Sequence, residues 1–187
     1  FLTALKQSIT VATVSTLVTV GIAGLLSWCV ARTGIRFKGI FSVLFSVPML
    51  IPSISHGMGL IILLGSNGIL NKTFGWNINI YGFWGILLGS VMYSLPVAYL
   101  MLLDVLKFED STPYEAAEVL GLSKIDKFFT ITLPYLRKPL ISVFFATFTM
   151  IITDYGVPLM IGGKYTTLPV MMYQDVIGML DFGKGSV

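Results

Sequence analysis

Three runs of the sequence, residues 9–31, 39–65 and 80–103, contain no charged residue. Each exceeds the roughly 20 apolar residues that a helix needs to cross the ~30 Å hydrocarbon core of a bilayer. In lipid, only α-helices and closed barrels satisfy their own backbone polar groups. The runs are continuous rather than alternating, so helices are expected. The first is too long for the core of a signal peptide. A fourth run opens at Pro139, stays uncharged until Asp154 and continues apolar to Ile161. It spans only if Asp154 sits at or near a membrane interface. The expected fold class is all-α, a polytopic bundle of transmembrane helices in a lipid bilayer.

Composition agrees. The 187 residues are 55% hydrophobic and 11% charged, against about 25% charged in soluble domains, and the mean hydropathy is +0.87. A net charge of +3 could suggest a nucleic-acid partner. The cations, however, gather at the ends of apolar runs rather than on one face, so no nucleic acid is expected. The single cysteine, Cys29, lies within an apolar run. It excludes an internal disulfide and reads as a small apolar helix residue. The single histidine, His56, cannot form a metal site alone.

The loop cations set an orientation. Arg32, Arg36 and Lys38 separate the first two runs, and only Lys72 separates the next two. Lys107, Lys124, Lys127, Arg137 and Lys138 precede the fourth, with Lys164 and Lys184 after it. Cytoplasmic loops are enriched in Lys and Arg, which places 32–38 and 107–138 in the cytoplasm.

The second basic loop has its own architecture. Thr112-Pro113-Tyr114-Glu115 fits a capping box, with Thr112 as N-cap, Pro113 at the first helical position and Glu115 reaching back. A helix is expected from Pro113 to about Leu120, ended by Gly121 in a left-handed conformation. Ser123 and Asp126 suit the start of a second short helix, carrying Ile125, Phe128 and Phe129. That helix should stop near Leu133, before Pro134.

Along the same loop runs the pattern Glu115-Ala116-Ala117, then Gly121, then Ile131-Thr132-Leu133-Pro134. It resembles the EAA loop in the membrane-spanning subunits of binding-protein-dependent, type I ABC importers, and all seven defining positions are present. The resemblance implies that residues 1–187 are one permease domain of that fold. It also implies that loop 107–138, through Glu115, Ala116, Ala117, Gly121, Ile131, Leu133 and Pro134, docks on a dimer of ATPase subunits. A second permease domain, as a homodimer or fused repeat, would complete the path. An extracytoplasmic binding protein would deliver solute, and the location would be a bacterial cytoplasmic (inner) membrane. The family core holds more helices than the four runs visible, so the chain reads as an excerpt truncated at both ends. No catalytic or cofactor site is expected in this chain, with ATP and Mg bound by the partner ATPase. The nearest string to a phosphate loop, Gly162-Gly163-Lys164-Tyr165, has Tyr where Ser or Thr is required.

Other features leave two readings open. Pro48 and Pro52, beside Ser53, Ser55, His56 and Gly57, form either a kinked path-lining segment or an interfacial turn. His56 contacts solute or is a hydrogen-bonded packing residue. Asp154 faces the bundle near the outer mouth of the path or caps a solvated helix end. Pro52, His56 and Asp154 are therefore candidate path residues. Gly82, Gly85 and Gly89 suit close helix packing. Asn71-Lys72-Thr73 matches a glycosylation sequon, and Asp181-Phe182-Gly183 a kinase triplet without its companions. Asp154-Tyr155-Gly156-Val157-Pro158, with Leu159 to Gly163, resembles the permease branch for ferric iron, phosphonates, thiamine and polyamines. That branch implies a small polar or charged solute, with ferric iron or 2-aminoethylphosphonate foremost. The competing classes are weaker. An ion-gradient-driven secondary transporter needs ionisable residues near the midplane, which the first three runs lack. A membrane enzyme needs a catalytic constellation. A scaffold leaves the loop motif unexplained.

Overall fold

The computed structural model describes residues 1–32, 38–76 and 78–178. Arg36, Lys184 and the polar stretch 181–187 lie outside them. Most of the described residues are helical, with no strand among them.

Helix α1 (Leu2–Arg32) packs along α5 (Phe83–Lys107), and α8 (Leu133–Ile152) closes against both. The buried face of α1 is mostly small and hydroxyl residues, Ala4, Ser8, Ala12, Ser15, Thr16, Thr19, Ala23 and Ser27, joined by Val11 and Val30. Several of its large residues point outward, with Leu17, Ile22 and Leu25 exposed. This inside-out arrangement suits lipid. Tails solvate leucine well, while small residues let helix backbones approach and hydroxyls hydrogen-bond across the seam. One such bond joins Thr19 Oγ1 to Ser94 Oγ at 3.1 Å.

Two apolar clusters stack along the bundle. At the end carrying the 107–138 loop, Ala23, Val30, Tyr99, Leu102, Leu106, Leu136 and Val143 meet. At the opposite end, Val11, Leu60, Ile80, Ile86, Val157 and Ile161 form the second.

The run 39–65, expected as one helix, is broken. Helix α2 (Lys38–Ser46) passes into a 3-10 turn at Val47–Leu50, and α3 (Ser53–Leu64) starts after Pro52. Pro48 and Pro52 lack an amide hydrogen; Pro48 sits in the first turn of the 3-10 segment, and Pro52 pushes the residue before it out of helical conformation. Ile51, before Pro52, is extended at φ −99°, ψ 129°. The two pieces still climb α5 in order. Ser42 and Phe45 of α2 touch Tyr99, and His56 of α3 lies against Tyr93.

A short helix, α4 (Ile69–Phe74), follows. Its buried Asn71 donates to the carbonyls of Leu64, Gly65 and Ile78 and accepts from the Ile78 amide. The sequon asparagine is thus a structural knot.

The fourth crossing also differs from expectation. It begins in the loop, with α7 (Lys124–Lys127), passes through a π turn at Phe128–Thr132, and continues as α8 through Pro134 without stopping. The Leu133 amide bonds to the carbonyl of Phe128, five residues back. That wider turn shifts the hydrogen-bond register just ahead of Pro134, which lets the helix absorb the missing donor. At its other end α8 stops at Ile152 rather than running on to Ile161. Residues Gly156–Ile161 form a separate helix, α9, packed on α3 and α5. Gly89 brings its backbone so near α9 that an added Cβ would lie 2.6 Å from Val157 Cγ1. Gly85 is likewise closed in by Ile161 and the Ile80 carbonyl. Gly82 is a turn residue at φ +99° with open space where a Cβ would be, and it meets α9 through its amide, which donates to the Ile161 carbonyl at 2.9 Å, rather than by close packing.

Candidate functional site

The most distinctive surface is the helical hairpin at the loop end. Its first helix, α6, spans Thr112–Val119. The N-cap is Ser111 rather than Thr112, and Ser111 Oγ donates to Glu115 Oε1 at 3.1 Å. Asp110 accepts from the Thr112 amide and hydroxyl, at 3.0 and 2.8 Å. These bonds hold its carboxyl below the ordinary carboxylate range. The acidic residue upstream of Pro113 competes for the Thr112 hydroxyl and amide, and the cap moves by one position.

Gly121 has φ +73°. The Leu122 amide bonds to the Ala117 carbonyl and the Gly121 amide to the Glu118 carbonyl, both at 3.0 Å. This pairing is a Schellman ending. Ser123 and Asp126 form the reciprocal capping box of α7. Lys127 Nζ reaches Glu118 across the hairpin at 3.3 Å. Helix, left-handed turn and second helix are therefore locally fixed.

The hairpin presents an apolar tip. Val119 is 89% exposed and Leu120 78% exposed, with Ile125 beside them at 69%. Glu115 and Ala116 are also exposed, whereas Ala117 is buried against its own chain. Only one of the two alanines is thus open to a partner. Ile131 is half-buried in the π turn, and Leu133 and Pro134 are exposed at the base of α8. Val119, Leu120 and Ile125 lie outside the seven-residue pattern. Their signal in the sequence is apolar character inside a polar loop beside the glycine.

Below the hairpin, Arg32 ends α1 and pairs with Glu109. Arg32, at the edge of the first basic loop, therefore lies at the same end of the bundle as the second.

The candidate path residues lie elsewhere. Pro52 is exposed at the break before α3. His56 is buried. Its Nδ1 is 3.2 Å from the Pro52 carbonyl, and its Nε2 is buried without a hydrogen-bond partner. Asp154 is half-buried and lies two residues ahead of α9. Its two oxygens accept from the amides of Gly156 and Val157 at 3.2 and 3.1 Å. The structure brings α3, α5 and α9 together here, but it engages Asp154 in helix capping. Beyond α9, a cleft of about 760 Å³ opens among Ser66, Asn79, Tyr81, Phe83, Lys164 and Tyr165. Among the described residues, no group of His, Cys, Asp and Glu could hold a metal ion.

Four helical segments long and apolar enough to cross a membrane, with a rigid exposed hairpin at one end, define a membrane-spanning subunit. The chain belongs to the family of binding-protein-dependent transport system inner membrane components, whose model matches residues 7–180. It is therefore a multi-pass importer permease domain. It is 28% identical to the molybdenum transport system permease protein ModB of Azotobacter vinelandii, over 95% of this chain and 82% of that one. It is 29% identical to the ferric transport system permease protein FbpB of Actinobacillus pleuropneumoniae, over 79% of this chain but 22% of that protein. The thiamine transport system permease protein ThiP of Brucella abortus is 27% identical, over 74% of this chain and 27% of its own length. The chain thus spans most of one kind of relative and about a quarter of the others. A bacterial alginate ABC transporter, crystallised with an alginate-bound periplasmic protein, shares the fold. The TM-score is 0.81 at 15% identity, over 99% of this chain and 70% of that one.

Proposed function

We propose that this chain forms part of the translocation path of an ATP-driven importer in a bacterial inner membrane. In this reading the α6–Gly121–α7 hairpin docks on a separate ATPase subunit, which binds the ATP and Mg. A second permease domain completes the path, and an extracytoplasmic binding protein delivers the solute. ATPase closure pulls the hairpins and switches the bundle between inward- and outward-open arrangements by rigid-body movement.

The observation that carries the reading is the hairpin tip. An apolar patch left in water on a locally rigid scaffold marks a protein interaction site. The seven-residue pattern beside the tip lies within the matched family region. The solute is a small polar or charged species. Relatives named for ferric, molybdenum and thiamine transport support that class rather than one compound. Ferric iron keeps its place among the candidates, while 2-aminoethylphosphonate rests on the Asp154–Gly163 resemblance alone. No observation favours an ion-gradient mechanism.

The test is co-purification. Wild-type permease in mild detergent should retain an ATPase subunit. Glu115→Lys and Val119→Asp, both outside the spans, should reach the membrane at normal levels yet lose the ATPase and uptake. Full ATPase retention in both variants would refute the docking role.

A further inference from the structure

A docking helix that is pulled must be joined stiffly to the helices it moves. Four side chains around α6 make such a joint. Glu109, in the turn between α5 and α6, has a side chain only 4% exposed. A carboxylate so buried is costly unless it is paired and hydrogen-bonded. Both of its oxygens are engaged. Arg32, at the end of α1, pairs with Oε2, and the Tyr114 hydroxyl of α6 donates to Oε1 at 2.9 Å. The same hydroxyl lies 2.6 Å from Oγ1 of Thr132, a fully buried residue in the π turn ahead of α8. The Arg32 guanidinium sits 4.1 Å from the centre of the Tyr114 ring.

Packing does not provide the link by itself. A cavity of about 280 Å³, lined by Trp28, Arg32, Tyr114, Glu118 and Phe128 among others, separates α6 from α1. The chain connections are a short turn at 108–111, which leads back to α5, and the glycine turn at 120–123, which ties α6 to α7. We propose that Arg32, Glu109, Tyr114 and Thr132 form the joint through which movement of α6 is carried to α1 and α8. They are positioning residues and touch neither solute nor nucleotide. Burial raises the Tyr114 phenol above its ordinary value, which keeps it a neutral donor at physiological pH. The inference rests on the docking reading above.

The test uses the assembled permease–ATPase complex in lipid nanodiscs, in a Cys29→Ala background. Spin labels are placed at Leu25→Cys on the exposed face of α1 and at Glu118→Cys on α6. The distance between them is measured with and without ATP plus vanadate. With the joint intact it should stay a single, unshifted population. Tyr114→Phe, which keeps the ring beneath Arg32, and Glu109→Gln should shift and split it upon ATP trapping, while the ATPase stays bound. Exchange of the pair, Arg32→Glu with Glu109→Arg, should restore part of the single population. A wild-type distance that moves with ATP, or a Tyr114→Phe complex indistinguishable from wild type, would overturn the joint. Wild-type permease that retains no ATPase would instead remove the docking reading on which the joint depends.

Discussion

At Gly121, the space that a Cβ would occupy is empty, yet φ is +73°. Any penalty for substitution there comes from the backbone and not from crowding. A side chain costs roughly 1 kcal/mol in a left-handed conformation, and a β-branched one costs more. Asparagine tolerates this region better than other residues. Gly121→Asn should therefore retain most of the ATPase in a pull-down, whereas Gly121→Val should retain little. Equal retention would show that the turn does not aim the hairpin. Asn71 presents the opposite case, a side chain whose value lies entirely in its partners. Removing it takes a partner from three carbonyls and an amide, of which the Gly65 carbonyl keeps the Gly68 amide at 2.7 Å. At about 1–3 kcal/mol for a buried group left unsatisfied, Asn71→Ala should lower the melting temperature in detergent. Asn71→Asp should do worse, because it loses the donor and adds a charge. Unchanged melting in both would remove Asn71 as a knot.

At the scale of elements, glycine spacing tells two different stories within α3 and α5. A Cβ on Gly57 would lie 2.8 Å from Met160 Cβ, and one on Gly89 2.6 Å from Val157 Cγ1, whereas nothing lies within 4 Å of Gly59. Overpacking a closed contact typically costs about 1–3 kcal/mol. Gly89→Leu should thus push α9 from α5 and reduce thermal stability, while Gly59→Ala, inside a helix with open space beside it, should preserve or slightly raise it. Comparable losses from both would mean that α9 is not seated as described. The elements also mark where reading the sequence is and is not sufficient. The first and third crossings are legible from uncharged length alone. The second and fourth are not, because hydropathy does not register a break between apolar residues. Pro48 and Pro52 are visible as breakers and do break the chain, but Pro134 carries the same signal and is traversed. At Pro134 a π turn stands just ahead, a register change that no residue type announces, while Pro96 and Pro139 are crossed within α5 and α8 without one.

For the whole molecule, the alternation of basic and weakly basic loops predicts accessibility. In a Cys29→Ala background, Lys72→Cys should react with an impermeant thiol reagent in intact cells, and Lys124→Cys only after lysis. Reversed labelling would overturn the orientation and the docking role with it. The amino-acid sequence alone determined the membrane environment, the helical class, the family and the position of the hairpin. These follow from local quantities: apolar length against bilayer thickness, loop charge, and a glycine set between two capped helices. Only the tertiary structure decided that Ala117 faces inward while Val119 and Leu120 face out. Only it brought Arg32 to Glu109 and Tyr114, since that pairing joins residues 77 positions apart. Asp154, open to two readings in sequence, is held by the amides of α9, which exist only because the chain turns at Thr153 and packs against α3. Such pairings depend on which helix faces meet. In lipid, where leucine is solvated almost as well outside the bundle as within it, hydrophobic pattern cannot fix those faces, and close packing of small residues does.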